Sequence, residues 1–117
     1  MSAKTAAEAD EILSRFSHDV AKHYGASLAG VYLFGSRARG DFEPESDADV
    51  AVVLRGDHRD FWREQRVVSD IAYDYLLDTG LFIQPIPFGD ADWSRPPEDN
   101  DLVRAAKRDA KALPGAA

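Results

Sequence analysis

Apolar residues recur every four positions at Ile12, Phe16, Val20 and Tyr24, with Leu13 beside them. That period predicts a helix from about Ala3 to Tyr24 with one buried stripe, stopped at Gly25. The pattern then changes. Leu28 to Phe34 is a short apolar run of strand formers closed by Gly35, and it reads as a buried strand. Ser36 to Gly40 has room for a short helix, and Asp41 to Ser46 is a polar loop with a proline at 44. Asp47 to Leu54 predicts a second strand. Side chains alternate along a strand, so Asp47, Asp49, Ala51 and Val53 share one face and Ala48, Val50, Val52 and Leu54 the other.

His58 to Thr79 predicts a second long helix, with Phe61, Val68, Ile71, Tyr75 and Leu76 as its inner face and Gly80 as its stop. Leu81 to Phe88 predicts a third strand. Pro85 and Pro87 remove two ladder donors from it, so it belongs at a sheet edge or breaks early. Gly89 to Asn100 is polar and contains prolines. Asp101 to Leu113 predicts a C-terminal helix with Leu102, Val103 and Ala106 inward, and Pro114 to Ala117 a frayed tail. The order α-β-α-β-α-β-α describes a small α/β sheet with helices on its faces.

A chain of 117 residues has the size of one domain with one core, residues 1–117. It has no cysteine, which removes disulfides, a thiol nucleophile and thiolate metal sites. No run approaches the roughly 18 apolar residues of a membrane helix, and the first residues form no apolar signal core. A cytoplasmic location without a membrane partner is the expectation. The formal net charge of −7 disfavours direct DNA binding, which needs a basic field. Arg37 and Arg39 still form a local basic pair, which leaves a small phosphate ligand open.

The chemistry concentrates between residues 33 and 53. A glycine after a strand, here Gly35, lets backbone N–H groups face an anion with no Cβ in the way. Ser36 adds a hydroxyl, the next helix its N-terminal dipole, and Arg37 and Arg39 two cations for phosphate oxygens. Read alone, the same residues are an ordinary strand-to-helix turn with solvated arginines. Asp47 and Asp49 sit about 6–7 Å apart along one strand face. Two such carboxylates repel unless a cation lies between them, and magnesium takes a few carboxylates together with substrate phosphates and water. The bland alternative is an edge strand with charges in water. Against it, the run Val50-Ala51-Val52-Val53 describes a buried strand whose charged end projects into a site.

Gly35-Ser36, ten residues, then Asp47-x-Asp49 resembles the signature of the DNA polymerase β-like nucleotidyltransferase superfamily. The fuller string, Gly35-Ser36-x-Ala38-Arg39-Gly40 followed by Ser46-Asp47-x-Asp49-x-x-Val52, is similar to its minimal nucleotidyltransferase branch. The resemblance implies a nucleotidyltransferase fold on a small mixed sheet. It implies transfer of a nucleoside monophosphate, probed first as AMP from ATP, to a hydroxyl with release of pyrophosphate. Gly35, Ser36, Arg37, Arg39 and Ser46 would bind nucleotide, and Asp47 and Asp49 would be catalytic and hold two Mg²⁺ ions. In the branch resembled, such chains are commonly encoded beside HEPN-type ribonucleases. There they act as antitoxins, by forming a complex or by adding AMP to a tyrosine of the toxin.

The family's third carboxylate, on the next strand, corresponds here to Gln84. An amide takes no proton at neutral pH and binds magnesium more weakly than a carboxylate. Transfer is then slow, or another acid such as Asp90 or Asp92 substitutes, or the chain binds nucleotide without transferring it. Larger members add a domain to hold the acceptor; with no room for one here, a protein partner is expected to dock on the open site. The remaining candidates have plainer readings. His18 and His23 are expected at the surface, Trp62 and Trp93 in core or boundary packing, and Asp70, Asp74 and Asp78 as a solvated stripe. The Arg55-Gly56-Asp57 triplet is a turn.

Overall fold

The computed structural model describes residues 3–56 and 60–114. Its elements run α1 (Ala6–Tyr24), β1 (Leu28–Phe34), α2 (Ser36–Arg39), β2 (Ala48–Leu54), α3 (Phe61–Thr79), β3 (Ile83–Gly89), α4 (Asp90–Ser94), α5 (Asp101–Asp109) and β4 (Lys111–Ala112). The four strands form one mixed sheet in the order β3-β2-β1-β4. β1 is antiparallel to β2 and to β4, and β2 is parallel to β3, with α3 as the crossover.

The helix starts are set by caps. Thr5 Oγ1 accepts from Glu8 N at 3.2 Å, and Thr5 N donates to Glu8 Oε1 at 3.0 Å. This reciprocal pair satisfies two orphan donors, so α1 begins at Ala6 rather than Ala3. Asp60 caps α3 by accepting from the Trp62 and Arg63 amides. The expected start at His58 lies outside the described residues.

β2 is buried on both faces and divides the core. Val50, Val52 and Leu54 pack with Leu13, Phe16 and Val20 of α1 and Val68 and Tyr75 of α3. Ala51 and Val53 pack on the other side with Phe34, Phe88, Trp93, Val103 and Ala106, under α4 and α5. Each fully buried Phe or Leu of this kind contributes about 1.5–3 kcal/mol. The alternation read from the sequence is thus the division between two helical layers.

β3 is an edge strand that tolerates both prolines. The Phe82 carbonyl accepts from Ala48 N at 2.9 Å, so residues 82, 84 and 86 turn their backbone toward β2. Pro85 and Pro87 turn theirs outward, where no ladder donor is needed. The outward Pro85 carbonyl accepts from Gln65 Nε2 of α3 at 2.7 Å.

The C-terminal third departs from expectation. The last helix ends at Asp109, and Lys111–Ala112 become β4 against Tyr32 and Leu33. The free edge of β1 supplies the partners: Leu113 N also donates to the Val31 carbonyl at 2.9 Å. Helical propensity at the end of a helix yields easily to such pairing. α4 forms at the start of the polar, proline-containing stretch from Gly89 to Asn100, where Trp93 stacks on Tyr32 at 5.0 Å and packs on Phe88. Leu102 points outward at 48% exposure, and Trp62 is not boundary packing but 87% exposed. His18, His23, Asp70, Asp74 and Asp78 are all exposed.

Candidate active site

Because β1 runs opposite to β2 and β3, its C-terminal end meets their N-terminal ends. The register places Phe34 across from Asp49 and Asp49 across from Gln84. Three strands therefore deliver the Gly35 turn, the two aspartates and the amide to one end of the sheet. Asp49 and Gln84 lie on the face that α4 and α5 cover only farther along.

Gly35 has φ +74° and ψ −156°, a region open essentially to glycine alone. It also makes room for Asp49, since a Cβ on Gly35 would lie 2.4 Å from Asp49 Oδ2. The glycine that exposes backbone N–H groups at the start of α2 is thus the one that lets a carboxylate rest against the turn. Gly40 closes α2 in the left-handed region at φ +89°.

Asp49 is partly buried, and its pKa is raised. Burial is the main cause, the neighbouring Asp47 charge adds to it, and Arg39 opposes both. Two carboxylates held together at a half-dry strand end are stabilised by a cation between them. Their oxygens are the hard donors that a divalent ion sharing its shell with phosphates and water takes, so the pair fits the metal that the sequence motif implies. Among the described residues, no three His, Cys, Asp or Glu side chains gather as a metal-holding group.

Gln84 does face the pair: its Nε2 donates to Asp47 Oδ2 at 3.3 Å. Asp90 and Asp92 follow the other end of β3, where Gly89 pairs with Leu54. Gln84 and Gly89 are five residue steps apart along the strand, about 16 Å, so neither acid reaches the site as a substitute.

The two arginines of the turn have different tasks. Arg37, expected at the phosphates, is 7% exposed. Its guanidinium donates to the carbonyls of Ser46 (3.0 Å), Pro44 (3.1 Å) and Lys4 (3.4 Å) and lies over the Phe42 ring. It is turned inward, with Nε and Nη2 on these carbonyls and Nη1 buried without a hydrogen-bond partner. Arg37 therefore ties the loop before Asp47 to the N-terminus of α1. Arg39 remains exposed and pairs with Asp41 at 3.1 Å and Asp109 at 2.8 Å. Asp109 carries no sequence signal, lying 70 residues away; its carboxyl is held below the usual range chiefly by Arg39. The Ser46 hydroxyl accepts from Glu43 N at 2.9 Å and shapes the loop. Ser36 sits at the first position of α2.

Replacing Arg37 with Ala removes charged hydrogen bonds, each worth about 1.5–3 kcal/mol. The expected result is a loss of at least about 2 kcal/mol in urea unfolding, with Arg37→Lys recovering little because an ammonium cannot span three carbonyls. If Arg37 held phosphate instead, stability would stay and only nucleotide affinity would fall.

Beside Gln84, a groove of about 500 Å³ runs between α3 and β3, lined by Gln65, Ser69, Tyr73, Leu76, Phe82 and Ile86 among others. Sequence periodicity gave no sign of it, because it arises from the open edge of β3.

Residues 13–102 match the family described as Nucleotidyltransferase domain. The chain belongs to this family. A nucleotidyltransferase takes a nucleoside triphosphate and, typically, a divalent metal. The chain is 36% identical over 76 residues to the "Putative protein adenylyltransferase MJ0141" of Methanocaldococcus jannaschii, covering 65% of this nucleotidyltransferase and 75% of that protein. It is 30% identical over 77 residues to the "Putative protein adenylyltransferase MJ1305" of the same organism, covering 66% of this chain but 52% of that one. It thus spans about half the length of the second relative. A solved structure described as a "putative nucleotidyltransferase" from Sulfolobus solfataricus aligns with TM-score 0.66 at 23% identity, over 93% of this chain and 86% of that one. The crystal structure of a toxin-antitoxin with AMP-PNP aligns with TM-score 0.56 at 17% identity, over 86% and 71%. Both are likenesses of fold, the first to a nucleotidyltransferase. Among the described residues, no helix is long and apolar enough to cross a membrane.

Proposed function

We propose that this nucleotidyltransferase moves AMP from ATP to a hydroxyl of a partner protein, acting in the cytoplasm as the antitoxin of a HEPN-type toxin. The observation that carries the reading is the carboxylate of Asp49 resting against Gly35, with Asp47 beside it. Phosphate site and charge site are one structure. The relatives named as protein adenylyltransferases support a protein acceptor, and the fold shared with a toxin-antitoxin supports the pairing.

In this reading the Gly35 turn and Ser36 hold the triphosphate, and Arg39 lends positive potential. Asp47 and Asp49 would hold a divalent ion, which when bound neutralises phosphate charge and polarises the α-phosphate. The acceptor oxygen forms a bond to the α-phosphorus, the bond to the bridging oxygen breaks, and pyrophosphate leaves. Gln84 is a neutral amide and cannot take the hydroxyl proton, so the proton leaves to water at this open end of the sheet.

A second reading is favoured by one contact, the amide of Gln84 on Asp47. With no third acid, the chain would bind nucleotide and inhibit its partner by covering it. The experiment is transfer from α-labelled ATP with Mg²⁺ to the product of the adjacent gene. Label on that protein with wild type, lost with Asp49→Ala, supports the transferase. Tight binding of the partner without label supports the covering subunit.

A further inference from the structure

We infer that the site holds one divalent ion per nucleotide rather than the pair expected from the motif, and that Gln84 is the residue that sets this number. The inference rests on the nucleotidyltransferase reading above and concerns this chain's departure from it.

A second ion lying roughly 3.5–4 Å from the first needs negative donors shared between them. Here the donors are few. Gln84 occupies the position in register with Asp49 on the neighbouring parallel strand, on the same sheet face. A carboxylate there would complete a set of three. The amide instead turns its Nε2 to Asp47 Oδ2 at 3.3 Å, presenting the positive end of its dipole beside an oxygen that a cation would use. No other acid fills the role, because Asp90 and Asp92 lie at the opposite end of β3 and no three acidic or imidazole groups gather among the described residues. Two carboxylates and the phosphates of one nucleotide satisfy one hard cation that keeps its waters. They leave a second without an anionic anchor.

The consequence is functional. The attacking hydroxyl is neither ionised by a second cation nor relieved of its proton by Gln84. The nucleotide-loaded state is therefore long-lived, and transfer, where it occurs, is slow. Replacing Gln84 with an acid restores the missing charge without moving the backbone.

The test counts ions. Mn²⁺ replaces Mg²⁺, and α,β-methylene-ATP supplies a nucleotide that cannot be cleaved at the reacting bond. Free Mn²⁺ is followed by electron paramagnetic resonance while the chain is titrated at saturating nucleotide. Wild type is expected to retain one Mn²⁺ per chain in the ternary complex, and Gln84→Asp two. Gln84→Glu serves as a second variant, with circular dichroism to show that each is folded. Two ions in wild type, or one in both folded variants, overturns the inference while leaving the nucleotidyltransferase reading intact. No retained nucleotide or Mn²⁺ in wild type overturns both.

Discussion

Replacing Asp49 with Asn is expected to abolish metal-dependent nucleotide binding while making the free chain more stable. The two effects have one cause. Burial and the Asp47 charge raise the Asp49 pKa, so the folded state favours the protonated acid more than the unfolded chain does. For a group shifted in this direction, the favourable contribution is complete below the unfolded carboxylate value near 4. It is lost as pH rises through the higher folded value. At neutral pH the ionised Asp49 is therefore a burden on the fold, held in place by the packing of β2. Asparagine keeps the shape and removes the charge, so thermal unfolding at pH 7 should move upward, and the gain should shrink as pH falls toward 4. Function moves oppositely. Removing one preorganised oxyanion-hole donor costs about 10²–10³ in rate, and here the group lost is a full charge that would anchor the cation. Wild type should gain stability from Mg²⁺ and ATP together by mass action; Asp49→Asn should gain none. A variant that still responds to the pair would place the metal elsewhere.

The same tension explains which parts of this protein were readable from its sequence. β1 was legible to the residue, because Leu28–Phe34 is bounded by glycine and filled with strand formers. The two faces of β2 were legible because alternation is a local property. The carboxylate pair followed from that alternation alone. What the chain does not write locally is which strands become neighbours and in which register. Gln84 could be matched to the motif, but only the parallel pairing of Asp49 with Gln84 brings its amide to Asp47. The arginines make the point from the other side. Arg37 and Arg39 look alike in the string, yet one is drawn inward by the Lys4 carbonyl, 33 residues away. The other is steered by Asp109 from the last helix. β4 is a still weaker signal, two residues that become a strand only because β1 has an edge to offer. Trp62 is 87% exposed, which hydrophobicity alone does not show.

Gly35→Ala should be the most damaging single methyl group at this site, and Gly40→Ala shows why. Both glycines have positive φ, so both substitutions strain the backbone. At Gly40 the conformation is left-handed helical with ψ 4°, and a Cβ meets nothing within 4 Å. That costs about 1–2 kcal/mol and leaves the site untouched. At Gly35 the backbone is in the region reserved for glycine, where strain costs about 1–3 kcal/mol. The added carbon would also sit 2.4 Å from Asp49 Oδ2 and 3.3 Å from Cγ. The carboxylate has to move, or the turn must open. Either way the backbone amides at the start of α2 and the Asp49 oxygens lose their relation. Urea unfolding should therefore show both variants destabilised, Gly35→Ala by about 1–3 kcal/mol of strain. The stabilisation by Mg²⁺ and ATP should survive in Gly40→Ala and vanish in Gly35→Ala. Equal loss of the nucleotide response in both would mean that the ends of α2 act through helix stability. Survival in both would mean that Asp49 does its work without the turn. The expected split ties the glycine to the carboxylate through the one contact between them.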